Sequence, residues 1–370
     1  MKRLNYIDGL KGWLAVSICI FHFLLMFFIG GFIGWKCLSE AALNPFEYYF
    51  DWFPYSILTN NSFPLYIFFA LTAFIVSYTF LKNKNEDKLK QKIAMRYFRF
   101  VPLVLTASLV AYLLLALELC PLEKFYDITG NTWGLAMIEN EFTFGEALEI
   151  GLFRCFFERT HLVSPFWCMF YIFLGSMLSF VMMLLYTKID NKIFFFGSAI
   201  VLFYFVDQNY LAFIIGLIAG IIANKEYSLS KWKGALLVAV GCVLGLFPPV
   251  LLPSFIDIVT LYALGAGFVI VGIHCCFSNN RLLCNKFAEF LGKESLALIV
   301  WQFLIMQSLN IFLYNSFHSA DMSNPMNIAI NFGINAALSL FLTWVSSKTI
   351  TPLTNYLCRQ MSALLWRKSK

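Results

Sequence analysis

Residues 7–23 read IDGLKGWLAVSICIFHF, and the apolar run that begins here continues through LLMFF to residue 28. A helix needs about 20 predominantly apolar residues to cross a bilayer, and this run is long enough. Apolar runs of similar length recur along the whole chain. The sequence therefore predicts an all-α, polytopic membrane helix bundle rather than a soluble fold.

The composition of the chain supports the same class of protein. Of its 370 residues 60% are hydrophobic and 13% are charged, and 42 are Phe. A soluble globular chain carries roughly 25% charged residues. The mean hydropathy is +0.74. We exclude a soluble catalytic domain, a nucleic-acid-binding module and a secreted scaffold built on disulfides.

About ten transmembrane helices are predicted, which places both termini on the same side of the membrane. The predicted spans are 11–33, 63–81, 100–118, 165–187, 193–206, 210–223, 234–250, 256–276, 295–315 and 327–346.

The distribution of basic residues predicts the orientation. With the N-terminus inside, 23 of the 27 Lys and Arg residues fall in cytoplasmic segments. Positively charged loops stay in the cytoplasm, so we expect both termini to be cytoplasmic and the segments 34–62 and 119–164 to be external. We divide the chain into a membrane domain, 1–350, and a cytoplasmic amphipathic and basic tail, 351–370. We interpret the first helix as uncleaved.

The ten cysteines show no spacing typical of a metal site, and we predict no metal. Cys120 and Cys155 share one predicted external loop and could form a disulfide. Free thiols are the interpretation that we favour.

His22 is the candidate that the first helix offers for chemistry. An ionisable residue inside a span is a functional hypothesis by default, because its burial in lipid is costly. Lys11 precedes it by eleven residues, which is an angular offset of about 20° and a rise of about 16 Å on an α-helix. Ala15 and Ile18 share that strip, and Asp8 lies at its cytoplasmic end. The strip would suit a ligand charged at one end; the alternative is a snorkelling Lys11 and an unrelated, packed His22.

Arg96 and Arg99 form a second candidate site where the third span enters the membrane. Residues three apart share a helix face. Arginine presents planar, fork-like donors that match phosphate oxygens, so the pair could bind a phosphate-bearing ligand. The alternative is a signal for topology only, and we accept that interpretation for the basic residues of 82–92.

Five segments together resemble the acyltransferase type 3 membrane family. The opening IDGLKGWLAVSICIFHF is similar to the family's Asp-Gly-Leu-Arg-Gly start with a His eleven residues after the Arg. The others follow in the family's order: PLYIFFALTAFIVS (64–77), RYFRFVPL (96–103), SPFWCMFYIFLGSML (164–178) and LGKESLALIVWQFLI (291–305). The resemblance runs from Asp8 to about residue 346.

The resemblance implies an enzyme that takes an acyl group, commonly acetyl, from an acyl-coenzyme A on the cytoplasmic side. The acceptor would be a hydroxyl of a cell-envelope glycan or a lipid-linked sugar, and the location a bacterial cytoplasmic membrane. His22 would be catalytic and Lys11, Arg96 and Arg99 would bind the donor, with Asp8 in a supporting role. We expect acetyl-coenzyme A as a substrate, no tightly bound cofactor, and the lipid bilayer but no nucleic acid as a partner.

The chain differs from the family pattern at several positions. Lys11 stands in place of Arg, Ile172 stands where many members have Glu, and Gln302 stands where many have His. Two other classes of function stay open on the sequence alone: a transporter that uses His22 in a proton or substrate path, and a non-catalytic sensor or scaffold on the same fold.

Overall fold

The computed structural model describes residues 4–27, 62–131, 142–160, 162–225, 230–247, 252–253 and 256–366. This part of the chain is almost entirely helical and contains no strand. The helices are α1 Asn5–Phe27, α2 Ser62–Asn83, α3 Glu86–Ala116, α4 Leu122–Thr129, α5 Phe144–Glu149, α6 Phe166–Tyr186, α7 Lys192–Val206, α8 Leu211–Asn224, α9 Lys231–Gly245, α10 Ile258–Cys276, α11 Lys286–Lys293, α12 Ser295–Ser319, α13 Asn324–Lys348 and α14 Ile350–Leu365. The turn Met306–Asn310 inside α12 is π-helical.

Each of the ten segments predicted to span the membrane overlaps one of these helices. Seven helical segments of the described residues are long and apolar enough to cross a membrane, and α7 and α8 are shorter apolar helices. The total of ten spans and the orientation of the termini stay predictions. The all-helical membrane fold is confirmed.

The first helix begins earlier than its predicted span of 11–33. It starts at Asn5 and includes Asp8 in its first turn. A carboxylate there interacts favourably with the positive end of the helix dipole. This interaction stabilises a helix that begins several residues before the predicted span. The part of the predicted span beyond Phe27 lies outside the described residues.

The helix α1 belongs to two hydrophobic cores, one at each end. Tyr6, Ile7 and Leu10 at its start pack with α2, α6, α8 and α10. Phe23, Met26 and Phe27 at its other end pack with α3, α4, α12 and α13. Between these two clusters, one face of α1 with Ala15, Ile18 and His22 is also buried, whereas Trp13 on another face is exposed.

Large apolar side chains cover the outer surface of the helices. In α7, Ile193 is 88% exposed and Phe205 is 81% exposed. Exposed apolar surface of this extent is typical of an interface with another apolar phase. Together with the length of the helices, it supports a multi-pass membrane protein.

The predicted external segment 119–164 contains folded structure. It includes α4, α5 and a π-helical turn at Ile150–Arg154 that packs on α3. The hydroxyl of Ser108 on α3 donates to the carbonyl of Ala147 on α5 at 2.5 Å. Cys120 and Cys155 in this segment are free thiols, as we favoured.

Candidate active site

The start of α1 packs against α11 through three glycines. A Cβ added to Gly9 or Gly12 would collide with the backbone carbonyls of Leu283 or Ala288. A Cβ on Gly292 would collide with the backbone carbonyl of Asp8. Only glycine permits so close an approach of two backbones. These glycines therefore bring the first and last of the five sequence segments into direct contact.

Asp8 and Lys11 form an ion pair at this contact. The Lys11 Nζ lies 3.8 Å from the Asp8 Oδ1, one helical turn away, and both side chains are largely shielded from solvent. The predicted acid and base of the first helix are thus brought together at the end of α1 that meets α11.

The strip between Lys11 and His22 is a packed surface. Ala15 is fully buried against Leu291 of α11 and Leu298 of α12. Ile18 is buried as well. This side of α1 is a helix interface in the structure, whereas the sequence analysis expected it to line a channel for a ligand charged at one end.

His22 lies in the interior of the bundle and is only 8% exposed. Its ring contacts Phe21 of its own helix and meets Phe303 of α12 edge-on, with 5.9 Å between the ring centroids. Gln302 of α12, itself buried, lies beside His22.

The position of Gln302 beside His22 was missed by the sequence analysis, which recorded Gln302 only as a departure from the family pattern. These residues are 280 positions apart. Nothing in the spacing of either residue signals the contact, because it depends on how α12 packs against α1.

Arg96 and Arg99 lie near one another on α3 but differ in their surroundings. Arg96 is partly buried, its Nε donates to the Ser176 hydroxyl of α6 at 2.8 Å, and its guanidinium lies over the ring of Phe100. Arg99 is exposed. Arg96 is therefore anchored to the helix bundle, whereas the side chain of Arg99 is exposed.

The arginine pair belongs to a longer cationic face. Lys88 and Lys92 precede Arg96 at intervals of four, and Lys92 interacts electrostatically with Lys88 and both arginines. The spacing of 88, 92, 96 and 99 was visible in the sequence as one helix face. We had assigned the lysines to topology alone, and Lys92 is the candidate that this interpretation overlooked.

The junction between α11 and α12 meets this cationic face. The Glu294 carboxylate lies close enough to Arg99 for an electrostatic interaction and accepts a hydrogen bond from the Thr351 hydroxyl of α14 at 2.9 Å. Burial raises the pKa of Glu294, while the Thr351 hydrogen bond and the charge of Arg99 oppose that change. Cys358 of α14 also lies near Arg99.

The helix α12 links the two candidate groups. It begins next to Glu294, beside Arg99, and reaches Gln302, beside His22, after eight residues. That separation is about 12 Å along an α-helix. Gly292, two residues before Glu294, touches Asp8. The structure thus brings Asp8, which pairs with Lys11, and Arg99 to the same junction, and it places His22 deeper along α12.

These features define a polytopic helical membrane protein with a histidine in its interior and a cationic group at one end of the same helices. The chain matches the family described as "Acyltransferase domain" over residues 4–347 and belongs to that family. No curated protein and no solved structure matches it. The protein is accordingly a membrane acyltransferase in the general sense of its family.

Proposed function

We propose that this protein is an O-acyltransferase that moves an acetyl group from acetyl-coenzyme A to a hydroxyl of a cell-envelope glycan or a lipid-linked sugar. The observation that carries the proposal is a buried histidine that lies beside Gln302 of α12, about 12 Å along that helix from the junction with Arg99. A buried imidazole is disposed to be neutral, and a neutral imidazole can take a proton.

The donor binds at the cationic end in this proposal. Arg96, Arg99 and Lys11 contact its phosphates, because guanidinium and ammonium groups are the usual phosphate ligands of proteins. Since Ala15 closes the Lys11–His22 strip, the pantetheine arm follows the contact between α3 and α12 instead. The thioester then reaches His22.

The transfer step is a general-base reaction at His22. The imidazole takes the proton of the acceptor hydroxyl as its oxygen attacks the thioester carbonyl carbon. The new C–O bond forms, the C–S bond breaks, and the departing thiolate of coenzyme A receives the proton from His22. The products are the O-acetyl ester and free coenzyme A, and His22 returns to its starting state.

The orientation follows from the distribution of charge. The cationic end, together with both termini, faces the cytoplasm of a bacterial cell, where acetyl-coenzyme A is made. The acceptor reaches His22 from the other end of α1. His22 thus stands where a donor from one side and an acceptor from the other side meet.

Isotope-labelled acetyl-coenzyme A tests the proposal. Everted membrane vesicles that contain the protein are supplied with the acetyl-labelled donor, and vesicles from cells that lack the gene serve as the control. Label in a glycan or lipid fraction supports the enzyme. Soluble label inside the vesicles indicates a transporter, and no label above the control indicates a scaffold. Label trapped on His22 indicates an acyl-enzyme in place of general-base transfer.

A further inference from the structure

Gln307 is a buried polar side chain that the proposed donor and transfer steps do not use. It lies in the π-helical turn of α12 and has no solvent exposure. Among the residues that the structure describes, neither its Nε2 nor its Oε1 has a hydrogen-bond partner. Burying a carboxamide without partners costs free energy, so a retained one is unusual.

Three asparagines near Gln307 are paired, in contrast. The Asn310 Nδ2 donates to the Asn331 Oδ1 at 3.0 Å, and the Asn335 Nδ2 donates to the Asn310 Oδ1 at 2.7 Å. These bonds join α12 to α13. Gln307 lies within three residues of this network and takes no part in it, so its side chain serves another purpose than joining the helices.

Gln307 lies on α12 between two residues that contact the C-terminal half of α1. Phe303 meets His22, and Tyr314 meets Phe27 at 5.5 Å between ring centroids. Along the chain, Gln307 comes four residues after Phe303, on the side of His22 that is away from Lys11.

The π-helical turn gives a second reason to assign a role here. Single π-helical turns inside α-helices occur frequently at functional sites, because they displace side chains from the regular register. Here the turn begins three residues after Phe303, which contacts His22. The unpaired carboxamide and the irregular helix therefore coincide.

We propose that Gln307 binds the acceptor, by pairing with two neighbouring hydroxyls of a sugar. The Nε2 donates to one hydroxyl oxygen while the second hydroxyl donates to the Oε1, which satisfies both atoms at once. A thioester carbonyl would satisfy the Nε2 alone. The inference rests on the proposed function, because it takes transfer at His22 as given and names the group that holds the acceptor there.

The test uses Gln307→Met, which keeps the length of the side chain and removes its polar atoms. Purified protein transfers label from acetyl-coenzyme A to a detergent extract of membranes from cells that lack the gene. The rate is measured against the amount of extract and against the donor concentration. We expect the half-saturating amount of extract to rise roughly tenfold, as for two lost neutral hydrogen bonds, and that of acetyl-coenzyme A to stay unchanged.

Thermal unfolding without extract separates binding from a structural role. The melting temperature of Gln307→Met should equal or exceed that of the wild type, because an unpaired buried amide is replaced by an apolar group. Asn331→Leu, which removes a paired carboxamide, should lower it. An unchanged half-saturating amount of extract overturns the inference, as does a lowered melting temperature with both saturation values altered. No transfer by the wild type overturns the proposed function itself, which is a different result.

Discussion

Gly292 lies directly against the backbone carbonyl of Asp8, so that the start of α1 and the end of α11 touch through their main chains. This contact brings the acid–base pair of the first helix to the junction that also meets Arg99. The arrangement of the charged residues at this end of the protein thus depends on Gly292, which is itself uncharged.

Gly292→Ala should therefore disrupt the protein. The added methyl has no space at the Asp8 carbonyl, and overpacking of this kind costs typically about 1–3 kcal/mol. Gly333→Ala in α13 is the matched control, since a Cβ there meets nothing within 4 Å. It should stabilise by about 0.4–1 kcal/mol. Equal melting temperatures of the two variants in detergent would refute the close contact.

His22→Ala should abolish transfer and leave membrane insertion near normal. Loss of a general base lowers the rate typically by about 10²–10⁴-fold. Removal of a polar group from a span does not oppose insertion. His318→Ala changes an exposed histidine of α12 and should keep full activity. Wild-type rates in His22→Ala membranes that contain normal amounts of protein would exclude a catalytic role.

Arg99→Ala and Arg96→Ala should differ in a measurable way. Each variant loses a charge-assisted contact to the donor, worth about 1.5–3 kcal/mol, and should raise the apparent KM for acetyl-coenzyme A roughly ten- to a hundredfold. Arg96→Ala alone also frees Ser176 and should lower the melting temperature. Lys90→Ala, whose lysine pairs with Asp87 at 3.7 Å, is the control. A KM unaffected by Arg99→Ala would remove Arg99 from the donor site.

Lys11→Arg should preserve or improve acyl transfer, and Lys11→Met should strongly reduce it. Arginine keeps the charge beside Asp8 and adds a fork that can bind phosphate with two hydrogen bonds. Initial rates at low and at saturating acetyl-coenzyme A separate an effect on binding from one on the transfer step. Full activity of Lys11→Met would mean that the ion pair has a structural role only.

The helices themselves were predictable from the sequence, because a run of about 20 apolar residues indicates a helix long enough to cross a membrane. All ten predicted segments overlap helices of the described residues. The segment 119–164 was predicted only as an external loop, although Thr143 and Glu146 stand at the spacing of a capping box. The structure shows that box: the Glu146 N–H donates to the Thr143 hydroxyl oxygen at 3.2 Å, and the Thr143 N–H donates to the Glu146 carboxylate at 2.8 Å.

The candidate site was predictable only where its residues share one helix. Asp8 with Lys11, and Arg96 with Arg99, follow from helical spacing. The contacts of His22 with Gln302 and of Arg99 with Glu294 join distant parts of the chain. These contacts depend on how α12 packs between α1 and α3. Residue spacing in a single sequence does not predict that packing.

The position of bound coenzyme A tests the central claim most directly. A cryo-electron microscopy structure of the full-length protein with coenzyme A would locate the phosphates and the sulfur in one experiment. We predict the phosphates at Arg96 and Arg99 and the sulfur next to His22, with the pantetheine arm between α3 and α12. Phosphates bound away from the arginine pair, or a sulfur separated from His22 by a packed helix, would contradict the account.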